Sequence, residues 1–586
     1  MRRAGLVWAG LLFLALAGCG TDQLWRLQSD DEDKEKEKPR PAEAQTIGEV
    51  TSVWGTQPVR LWGVGVVDGL PGTGSEPEPG EMRRAVLHDL KQRGVEDPAA
   101  FLATGTRAVV IVTAVLPPGI RKGEPIDVEV ELPARDRATS LRGGYLLECE
   151  LHEYADSHEL RGQQGPHGPV KGRALARVEG RLIVGLAETN DKDRLRRGRI
   201  WGGGKAMIDR NFALLLKKDA RDGRRAKAIA DRINERFYGP FRGTVRGMAE
   251  AKNDTMITLK IPPQYALNWP RYLRVVRQIP LHPAPGGQDR AKAAEQLLDP
   301  AQTVVAALKL EAIGQPAIDD LKRALTHVQP GLTRPHPLVR FCAAEALAYL
   351  GDPACAPHLA ALVEEEPRLR AYGLTALASL NESICHLKLR ELLSSPSAET
   401  RYGAFRALWT LDGRDAALNE EELGRNFFLH RVAPESPPLV HLTMTRRAEV
   451  VLFGREPMLV PPFNLQAGPE FLVTARVGEE HCIVSRFSPH HGVRRETCSL
   501  RLYDVLHQLG ALGATYPDVV ELLQQASRFR NLDCPLRVDA LPQATSVYEL
   551  ARAGARDRIA PADPADAEAG GIADLGMVPN LFAGPR

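Results

Sequence analysis

The stretch RLWGVGVVDGLPGTGSEP, residues 60–77, joins a strand-like apolar run to a dense set of glycines. Glycine lets a backbone approach a phosphate closely, but it also permits close packing of strands and left-handed turns. The role of these glycines therefore decides between an enzyme and a structural protein. The five glycines are Gly63, Gly65, Gly69, Gly72 and Gly74.

The spacing of these glycines excludes the two common phosphate-binding loops. A P-loop has the pattern GxxxxGK[ST], whereas Gly74 is followed by Ser75 and Glu76, so an acidic residue stands where a phosphate needs a cation. A dinucleotide-binding loop has the pattern GxGxxG at the start of a helix, and here the third glycine is out of place. Both phosphate-binding interpretations therefore fail on spacing.

A structural role for the glycines follows from their positions. Gly63 and Gly65 lie inside a strand pattern, where a missing side chain allows another backbone to pack closely or allows a bulge. Gly72 and Gly74 are predicted to supply the positive φ angles of a tight loop that starts at Gly69.

The surrounding region, residues 47–160, is predicted to be rich in strands because apolar runs alternate with Gly and Pro. Helical spacing of apolar residues predicts helices over PGEMRRAVLHDLKQRGV and DGRRAKAIADRINERFYG. The predicted strands are VTSVWG, PVRLWGVGVV, AVVIVTAVL, IDVEVEL and, further along, TMITLKI.

Three stretches of this region resemble motifs of the flagellar P-ring protein family. LWGVGVVDGLPGTG is similar to that family's glycine-spaced strand and G-L-x-G-T-G loop. RAVVIVTAVLPPGIRKGEPIDVEVEL (107–132) resembles its strand, Pro-rich turn and strand, and ATSLRGGYLLECEL (138–151) resembles its S-L-x-G-G-x-L-L strand. The basic helix at 221–238 and TMITLKIPPQY match the next elements, so the resemblance covers about residues 47–280.

The resemblance implies a structural function. Proteins of this family are exported, fold without a cofactor and assemble into a periplasmic ring of identical subunits. That ring surrounds the flagellar rod at the peptidoglycan layer and acts as a bushing. The partners implied are the rod, the outer ring proteins and peptidoglycan, and the family offers no catalytic residue to carry over.

The N-terminus has the layout of a secretory signal: two arginines, a short apolar run and small residues before Cys19. The end of this run, Leu16 to Cys19, resembles the lipobox of bacterial lipoproteins, which predicts a signal peptide over 1–19 and a lipid on Cys19. An ordinary cleaved signal is the alternative. Residues 20–46 are charged and predicted to be a disordered tether. Gly20 rather than Asp follows the cysteine, which by analogy with enteric lipoproteins leaves the outer membrane open as the destination of a lipid-anchored periplasmic protein.

An internal repeat begins near residue 300 and predicts a solenoid over 300–415. The stretches HPLVRFCAAEALAYLGD, EPRLRAYGLTALASLNE and SAETRYGAFRALWTLDG superpose without gaps. They resemble short HEAT-type repeats, in which stacked helix pairs cover one another's apolar faces. A non-repetitive helical bundle is the alternative. The equivalent positions are Arg340, Arg370 and Arg401, and Leu347, Leu377 and Leu408.

The C-terminal part is predicted to be a smaller α+β domain over 440–545, followed by a disordered tail over 555–586. Its predicted elements are strands at AEVVLFG, EFLVTARVG, HCIVSRFS, CSLRLYDVL and CPLRVDAL, and a helix at PDVVELLQQASRF. The whole chain is thus predicted to be multidomain α+β: a β-rich P-ring-like region over 47–285, an α-solenoid and this domain.

The charge distribution and the reactive side chains give few further indications of function. Residues 161–250 hold 22 Lys and Arg against 10 Asp and Glu; in an exported protein this excess fits a cell-envelope polyanion or a solvated surface, and we predict no nucleic acid. The cluster HEYADSHE (152–159) lacks the HExxH spacing of zinc proteases and is interpreted as a polar loop. Cys482 and Cys498 flank a turn-rich segment and are candidates to face each other across strands.

Two functions are therefore carried forward. The first is a structural subunit of a P-ring-like ring around the flagellar rod. The second is a periplasmic lipoprotein adaptor, unrelated to motility, whose helical repeats bind a partner in the envelope.

Overall fold

The computed structural model describes residues 45–542, apart from 157–168, 187–191, 242–243, 425–426, 434, 446 and 489–491, together with Leu581. A β-rich N-terminal region is followed by a series of helices and then by a C-terminal β-rich region. The predicted signal peptide, its Cys19 and nearly all of the predicted tether lie outside the described residues. The last two residues of that tether do not extend freely, because Thr46 pairs with Pro280 and Gln45 accepts a hydrogen bond from the Leu281 amide.

The N-terminal region contains a closed barrel that the sequence did not predict. Its strands are β2 (Val59–Asp68), β3 (Ala108–Leu116), β4 (Pro125–Glu131), β5 (Tyr145–Asp156), β6 (Pro169–Arg181), β7 (Ile183–Val184) and β8 (Arg197–Ala206). They form one sheet in the order β4-β3-β2-β5-β6-β8-β7, and an additional antiparallel pairing of β4 with β8 closes it. Closure leaves every barrel strand except the short β7 paired on both sides, and the barrel encloses a core of its own.

Two short helices, α2 (Glu81–Gln92) and α3 (Pro98–Leu102), cover part of the outer wall of the barrel. Val86 and Leu90 of α2 form a small core with Val66 and Val109 of the wall. The helix predicted over residues 79–95 is therefore confirmed, and Gly94 ends it with a φ of 83°.

A second layer is formed by the segment that precedes the barrel in the chain together with the segment that follows it. Its antiparallel sheet has the order β1-β9-β13-β12. The helix predicted over DGRRAKAIADRINERFYG is confirmed as α4, whose apolar face is buried. The elements of this layer are α1 (Ile47–Val50), β1 (Thr51–Trp54), β9 (Phe212–Leu216), α4 (Gly223–Arg236), β10 (Tyr238–Phe241), β11 (Thr244–Gly247), β12 (Ala249–Ala251), β13 (Met256–Leu259) and α5 (Trp269–Gln278).

The middle of the chain is helical, as the repeat predicted, and its core is continuous with that of the preceding layer. The helices begin at residue 288, earlier than the predicted start at 300. They are α6 (Gln288–Leu297), α7 (Thr303–Ile313), α8 (Ile318–Thr326), α9 (Pro337–Leu350), α10 (Cys355–Glu365), α11 (Arg370–Ser379), α12 (Ser383–Leu392) and α13 (Ala398–Leu411).

The three leucines of the repeat alignment occupy equivalent positions. Leu347, Leu377 and Leu408 lie on α9, α11 and α13, every second helix, and each is 0% exposed. The alignment of the three copies is therefore confirmed. Arg340 pairs with Glu365 at the end of α10, within one helix pair, whereas Arg370 pairs with Glu399 of α13 and so links two units.

Truncation of one of these leucines is expected to destabilise the solenoid strongly. Leu347→Ala should lower the free energy of unfolding by about 2–5 kcal/mol, because the neighbouring helices cannot fully close the cavity. Urea denaturation followed by circular dichroism measures the change. Leu387→Ala is the matched control, because Leu387 is 50% exposed and its truncation should cost far less; equal losses in the two variants would contradict the buried role of Leu347.

The C-terminal region contains two sheets and two helices around a separate core. A mixed sheet has the order β14-β15-β17-β16-β22 and an antiparallel sheet the order β18-β19-β20-β21. The elements are β14 (Leu418–Leu423), β15 (Phe427–Val432), β16 (Leu439–Leu442), β17 (Glu449–Phe453), β18 (Phe463–Ala467), β19 (Phe471–Ala475), β20 (His481–Ser488), β21 (Gly492–Ser499), α14 (Leu502–Ala511), α15 (Tyr516–Arg528) and β22 (Leu536–Val538).

Two predictions for this region need correction. The predicted boundary at 440 is wrong, because β14 and β15 already belong to the first sheet. The stretch CSLRLYDVL was predicted as a strand, but most of it forms α14. The predicted tail over 555–586 lies outside the described residues apart from Leu581, which is 3% exposed and packs in the core that the helical repeats share.

Candidate functional site

The glycines of β2 lie where the strand meets its neighbour β5 at very short range. A Cβ atom at Gly63 would lie 2.6 Å from the carbonyl oxygen of Glu150, and one at Gly65 would lie 2.9 Å from a methyl carbon of Leu146. The register between β2 and β5 shifts between Trp62 and Val67, so these glycines coincide with a bulge. Such close approach is the use of glycine that strand patterns allow.

The loop that follows β2 takes its shape from glycine in two different ways. Gly69 and Gly72 have φ angles of 78° and 77°, the left-handed region that favours glycine. Gly74 was predicted to share this conformation but lies outside that region. Its requirement is steric, because a Cβ atom there would overlap the carbonyl oxygen of Arg107 and lie 2.8 Å from its carbonyl carbon.

The amides of this loop are bonded to the protein itself. Leu70 N donates to Thr106 O at 2.9 Å, and Gly74 N donates to Gly105 O at 2.8 Å. Ser75 N donates to Arg107 O at 3.0 Å. A phosphate-binding loop directs such amides toward its ligand instead. The geometry therefore agrees with the spacing in opposing a phosphate site.

The motifs that carried the family resemblance meet in space at this loop. The Thr73 hydroxyl donates to Ser140 O at 2.7 Å, and Thr139 N donates to Thr73 O at 3.0 Å. These contacts join the G-L-x-G-T-G loop to the S-L-x-G-G stretch. A Cβ atom at Gly144 would overlap Val67, so the second stretch also packs directly on β2.

The basic excess of residues 161–250 is partly neutralised on the barrel wall. Arg177 lies between Glu148 and Glu150 of the neighbouring strand, at 3.6 and 3.8 Å. Arg197 pairs with Glu131 at 3.1 Å and Arg199 with Glu129 at 3.3 Å. These exposed pairs contribute little stability each, and they offset part of the local positive charge.

A buried ion network joins the P-ring-like region to the helical repeats. Arg271 of α5 contacts Glu311 of α7 at 2.6 Å and Glu345 of α9 at 2.5 Å. Tyr265 donates to Glu311 at 2.6 Å. Burial raises the pKa of Glu345, and Arg271 opposes this shift. The positive charge of Arg271 is thus shared by two buried carboxylates, and these contacts fix the two parts of the chain together.

A second buried network joins the repeats to the C-terminal sheet. Glu449 of β17 accepts a hydrogen bond from Tyr402 of α13 and pairs with Arg406 of the same helix at 3.3 Å. Although burial alone raises the pKa of Glu449, Arg406 and His430 hold it well below its usual range. His441 stacks on Tyr402 with ring centroids 3.9 Å apart, and burial lowers its pKa to about 4.

The C-terminal region also packs against the barrel. Arg142, within the S-L-x-G-G stretch, forms an ion pair with Asp518 at the start of α15. Trp201 of β8 meets Tyr516 edge to face, with ring centroids 6.0 Å apart. The chain therefore holds its C-terminal region from two sides, through the barrel and through α13.

A cleft of about 1370 Å³ separates the barrel wall from the segment that leads into α5. Its walls are mainly apolar and aromatic, and Val115 at its rim is 51% exposed. The residues that represent the two walls are Trp62, Tyr154, Pro117, Ile261 and Trp269.

The structure describes only part of the HEYADSHE cluster. His152 and Glu153 lie on β5, where His152 contacts Gly172 O at 3.0 Å, whereas His158 and Glu159 lie outside the described residues. Within the described ranges, no group of three or more His, Cys, Asp or Glu side chains is arranged to hold a metal ion. In the same part of the chain, no helix has the length and apolar character needed to span a bilayer.

The closed barrel, its glycine strand and the packed loop invite comparison with known proteins. Residues 46–288 match the flagellar P-ring protein family. The resemblance seen in the sequence is therefore confirmed for this region. Residues 339–365 match the PBS lyase HEAT-like repeat, which confirms the repeat type for one unit.

Curated relatives give the same result. A flagellar P-ring protein of Nitrosospira multiformis is 32% identical over 236 residues, which are 38% of this chain and 56% of that protein. One from Aliivibrio fischeri is 32% identical over 258 residues, 42% of this chain and 62% of its own length. One from Escherichia fergusonii is 33% identical over 214 residues, 34% of this chain and 53% of its own length. The chain thus spans about half the length of the curated relatives it matches.

Proposed function

We propose that this protein is a structural subunit of a P-ring-like periplasmic ring that surrounds the flagellar rod as a bushing. The observation that carries the proposal is the match of residues 46–288 to the flagellar P-ring protein family. The packing of its signature loop supports a structural role, because the loop amides bond to neighbouring backbone rather than face an open site.

The ring requires contacts between identical subunits. A closed ring needs a heterologous interface, in which one surface of a subunit fits a different surface of the next. The apolar cleft with Val115 at its rim is one surface available for such a contact. The proposed partners are further copies of this chain, the flagellar rod, the outer ring proteins and peptidoglycan, and no nucleic acid.

The parts of the chain outside the family match support a second candidate function. Helices α6 to α13 and the C-terminal region lie almost entirely beyond residue 288. Helical repeats present extended surfaces for partners. In this alternative, the protein is a periplasmic lipoprotein adaptor unrelated to motility, which uses a P-ring-like barrel as a rigid base.

Imaging of isolated flagellar basal bodies separates the two functions. Basal bodies from cells with a deletion of this protein should lack ring density at the level of the cell wall, and a tag on the protein should label that ring. Complementation with the Gly80→Ala variant serves as a control, since a Cβ atom at Gly80 meets nothing closer than 3.9 Å. Intact rings and normal swimming in the deletion strain would refute the ring and favour the adaptor.

The lipid anchor on Cys19 is a separate proposal with its own test. Cys19→Ser should abolish labelling by a radioactive fatty acid and release the protein from the outer-membrane fraction, because the lipid is attached to the sulfur. Lipid labelling and fractionation of the envelope measure the two effects. The Cys534→Ser variant is the control, because it replaces a buried cysteine and retains Cys19. Labelling and membrane retention that survive the substitution would refute the anchor.

A further inference from the structure

Two cysteines of the C-terminal region lie directly opposite each other on neighbouring antiparallel strands. Cys482 of β20 pairs with Cys498 of β21 in the strand register. Their Sγ atoms are 3.4 Å apart. Directly opposed residues of an antiparallel pair have Cβ atoms about 4.5–5.5 Å apart, close to the separation that a disulfide requires. Both residues lie outside the region that matches the P-ring family.

The surroundings single out Cys498 as the thiol that reacts first. It is partly exposed, whereas the other six described cysteines are buried. Its contact with Cys482 lowers the pKa of the Cys498 thiol, whereas the same contact together with burial raises the pKa of Cys482. Burial raises the pKa of Cys149, Cys342 and Cys534 to about 12, so these thiols are poor nucleophiles.

We propose that Cys482 and Cys498 form an intramolecular disulfide when the protein meets an oxidant that carries a reactive disulfide. The Cys498 thiolate attacks one sulfur of the oxidant and displaces one thiolate, which leaves a mixed disulfide on Cys498. The Cys482 sulfur, having lost its proton, then attacks the Cys498 sulfur and displaces the second thiolate. Two protein thiols are oxidised to one disulfide, one oxidant disulfide is reduced to two thiols, and the two protons pass to these thiols.

The disulfide would link the edge strand β21 of the antiparallel sheet to its neighbour β20. Strand β21 is the last strand of the order β18-β19-β20-β21, so within the described residues only β20 holds it by strand pairing. Residues 492–497 are all exposed. A link from the inner strand to the edge strand restricts opening of this hairpin. A protease with basic specificity cleaves after Arg494 and Arg495 of β21, so the rate of this cleavage measures how often the hairpin opens.

Peptide mapping of the full-length protein tests the proposal. The folded protein is incubated with oxidised glutathione, remaining thiols are alkylated, and trypsin digestion is followed by mass spectrometry without a reducing agent. Cleavage at arginine places Cys482 in peptide 477–486 and Cys498 in peptide 496–501. We expect these two peptides to be joined, with the loss of two hydrogens, and to separate on treatment with dithiothreitol.

Variants make the result specific. C482S should accumulate glutathione on Cys498 and form no joined peptide, whereas C534S should behave like the parent, and C482A and C498A replace the serine variants if these fail to fold. Brief trypsin treatment of the folded protein should cleave after Arg494 several times more slowly in the oxidised parent than in the reduced parent, with no such difference in C498S. Pairing of Cys482 with another cysteine, or a parent that stays as the mixed disulfide with glutathione, would overturn the proposal.

Discussion

Replacement of Gly74 by valine is expected to prevent stable folding of the barrel, and replacement by alanine to lower its free energy of unfolding by about 3 kcal/mol or more. The physical reason is overpacking against backbone, which cannot move aside as a side chain can. A Cβ atom at this position would overlap the carbonyl oxygen of Arg107 and lie 2.8 Å from the amide nitrogen of the same residue. Relief requires rupture of the hydrogen bonds that hold the loop to Gly105 and Arg107. Thermal unfolding and size-exclusion chromatography of the purified variants measure the effect.

Three matched glycines make this result interpretable. Gly65→Val should also disrupt folding, since its Cβ atom would meet Leu146 at 2.9 Å. Gly72→Ala should cost about 1–2 kcal/mol, because its φ of 77° strains an L-residue although nothing lies within 4 Å. Gly80→Ala should be nearly neutral, since its backbone is extended and its surroundings are open. A parent that binds nucleotide, with folded variants defective only in that binding, would overturn the structural interpretation; we expect no nucleotide binding by the parent.

Local patterns were sufficient to predict much of the fold. Apolar runs bounded by Gly and Pro predicted β2, β3 and β4, and the repeat alignment placed Leu347 and Leu377 on equivalent buried positions. In these places burial follows directly from periodicity. The C-terminal helix α14 carried a usable signal that was missed: its buried apolar residues recur at helical spacing, namely Leu502, Val505, Leu506 and Leu509.

Other features depend on contacts between distant segments and had no local signal. Closure of the barrel pairs Glu131 with Arg197, which no periodicity within either strand indicates. The ion pair of Arg142 with Asp518 joins residues 376 positions apart. Strand β14 has the sequence LNEEEL, and a run of three glutamates is untypical of a strand. As the edge strand of its sheet, β14 exposes these charges at little cost.

The conformation of Gly74 shows a further limit of prediction from sequence. Sequence indicated that glycine was required in this loop, and the structure agrees, but for a different reason at this position. A positive φ is a property of the loop itself, whereas the overlap with Arg107 depends on where the start of β3 lies. Glycines that are required by a neighbouring backbone are therefore harder to interpret from sequence than those required by a turn.

The buried ion network between the P-ring-like region and the repeats should be the other place where a single substitution lowers stability strongly. Arg271→Met is expected to lower the free energy of unfolding by about 3–5 kcal/mol, because it leaves Glu311 and Glu345 buried without their counter-charge. Their side chains are 0% and 3% exposed, so water cannot take the place of the arginine. Arg84→Met is the control, since Arg84 is 77% exposed beside Glu81 and such a pair contributes less than about 1 kcal/mol.

The pH dependence of this loss distinguishes the buried charge from a simple packing defect. The pKa of Glu345 is already raised above its ordinary value of 4.5 by burial, and loss of Arg271, which opposes that shift, should raise it further. A carboxyl whose pKa is higher in the folded state than in the unfolded state binds its proton more tightly when the protein is folded. Stability therefore increases as the pH falls toward the unfolded pKa. It decreases as the pH rises through the folded pKa. The deficit of Arg271→Met relative to the parent should therefore shrink as the pH is lowered from 8 toward about 5, and adding Glu311→Gln and Glu345→Gln should recover part of it at pH 8. Urea denaturation at each pH measures both effects; a deficit that stays constant with pH, and that the two glutamines leave unchanged, would show that Arg271 acts through packing rather than through charge.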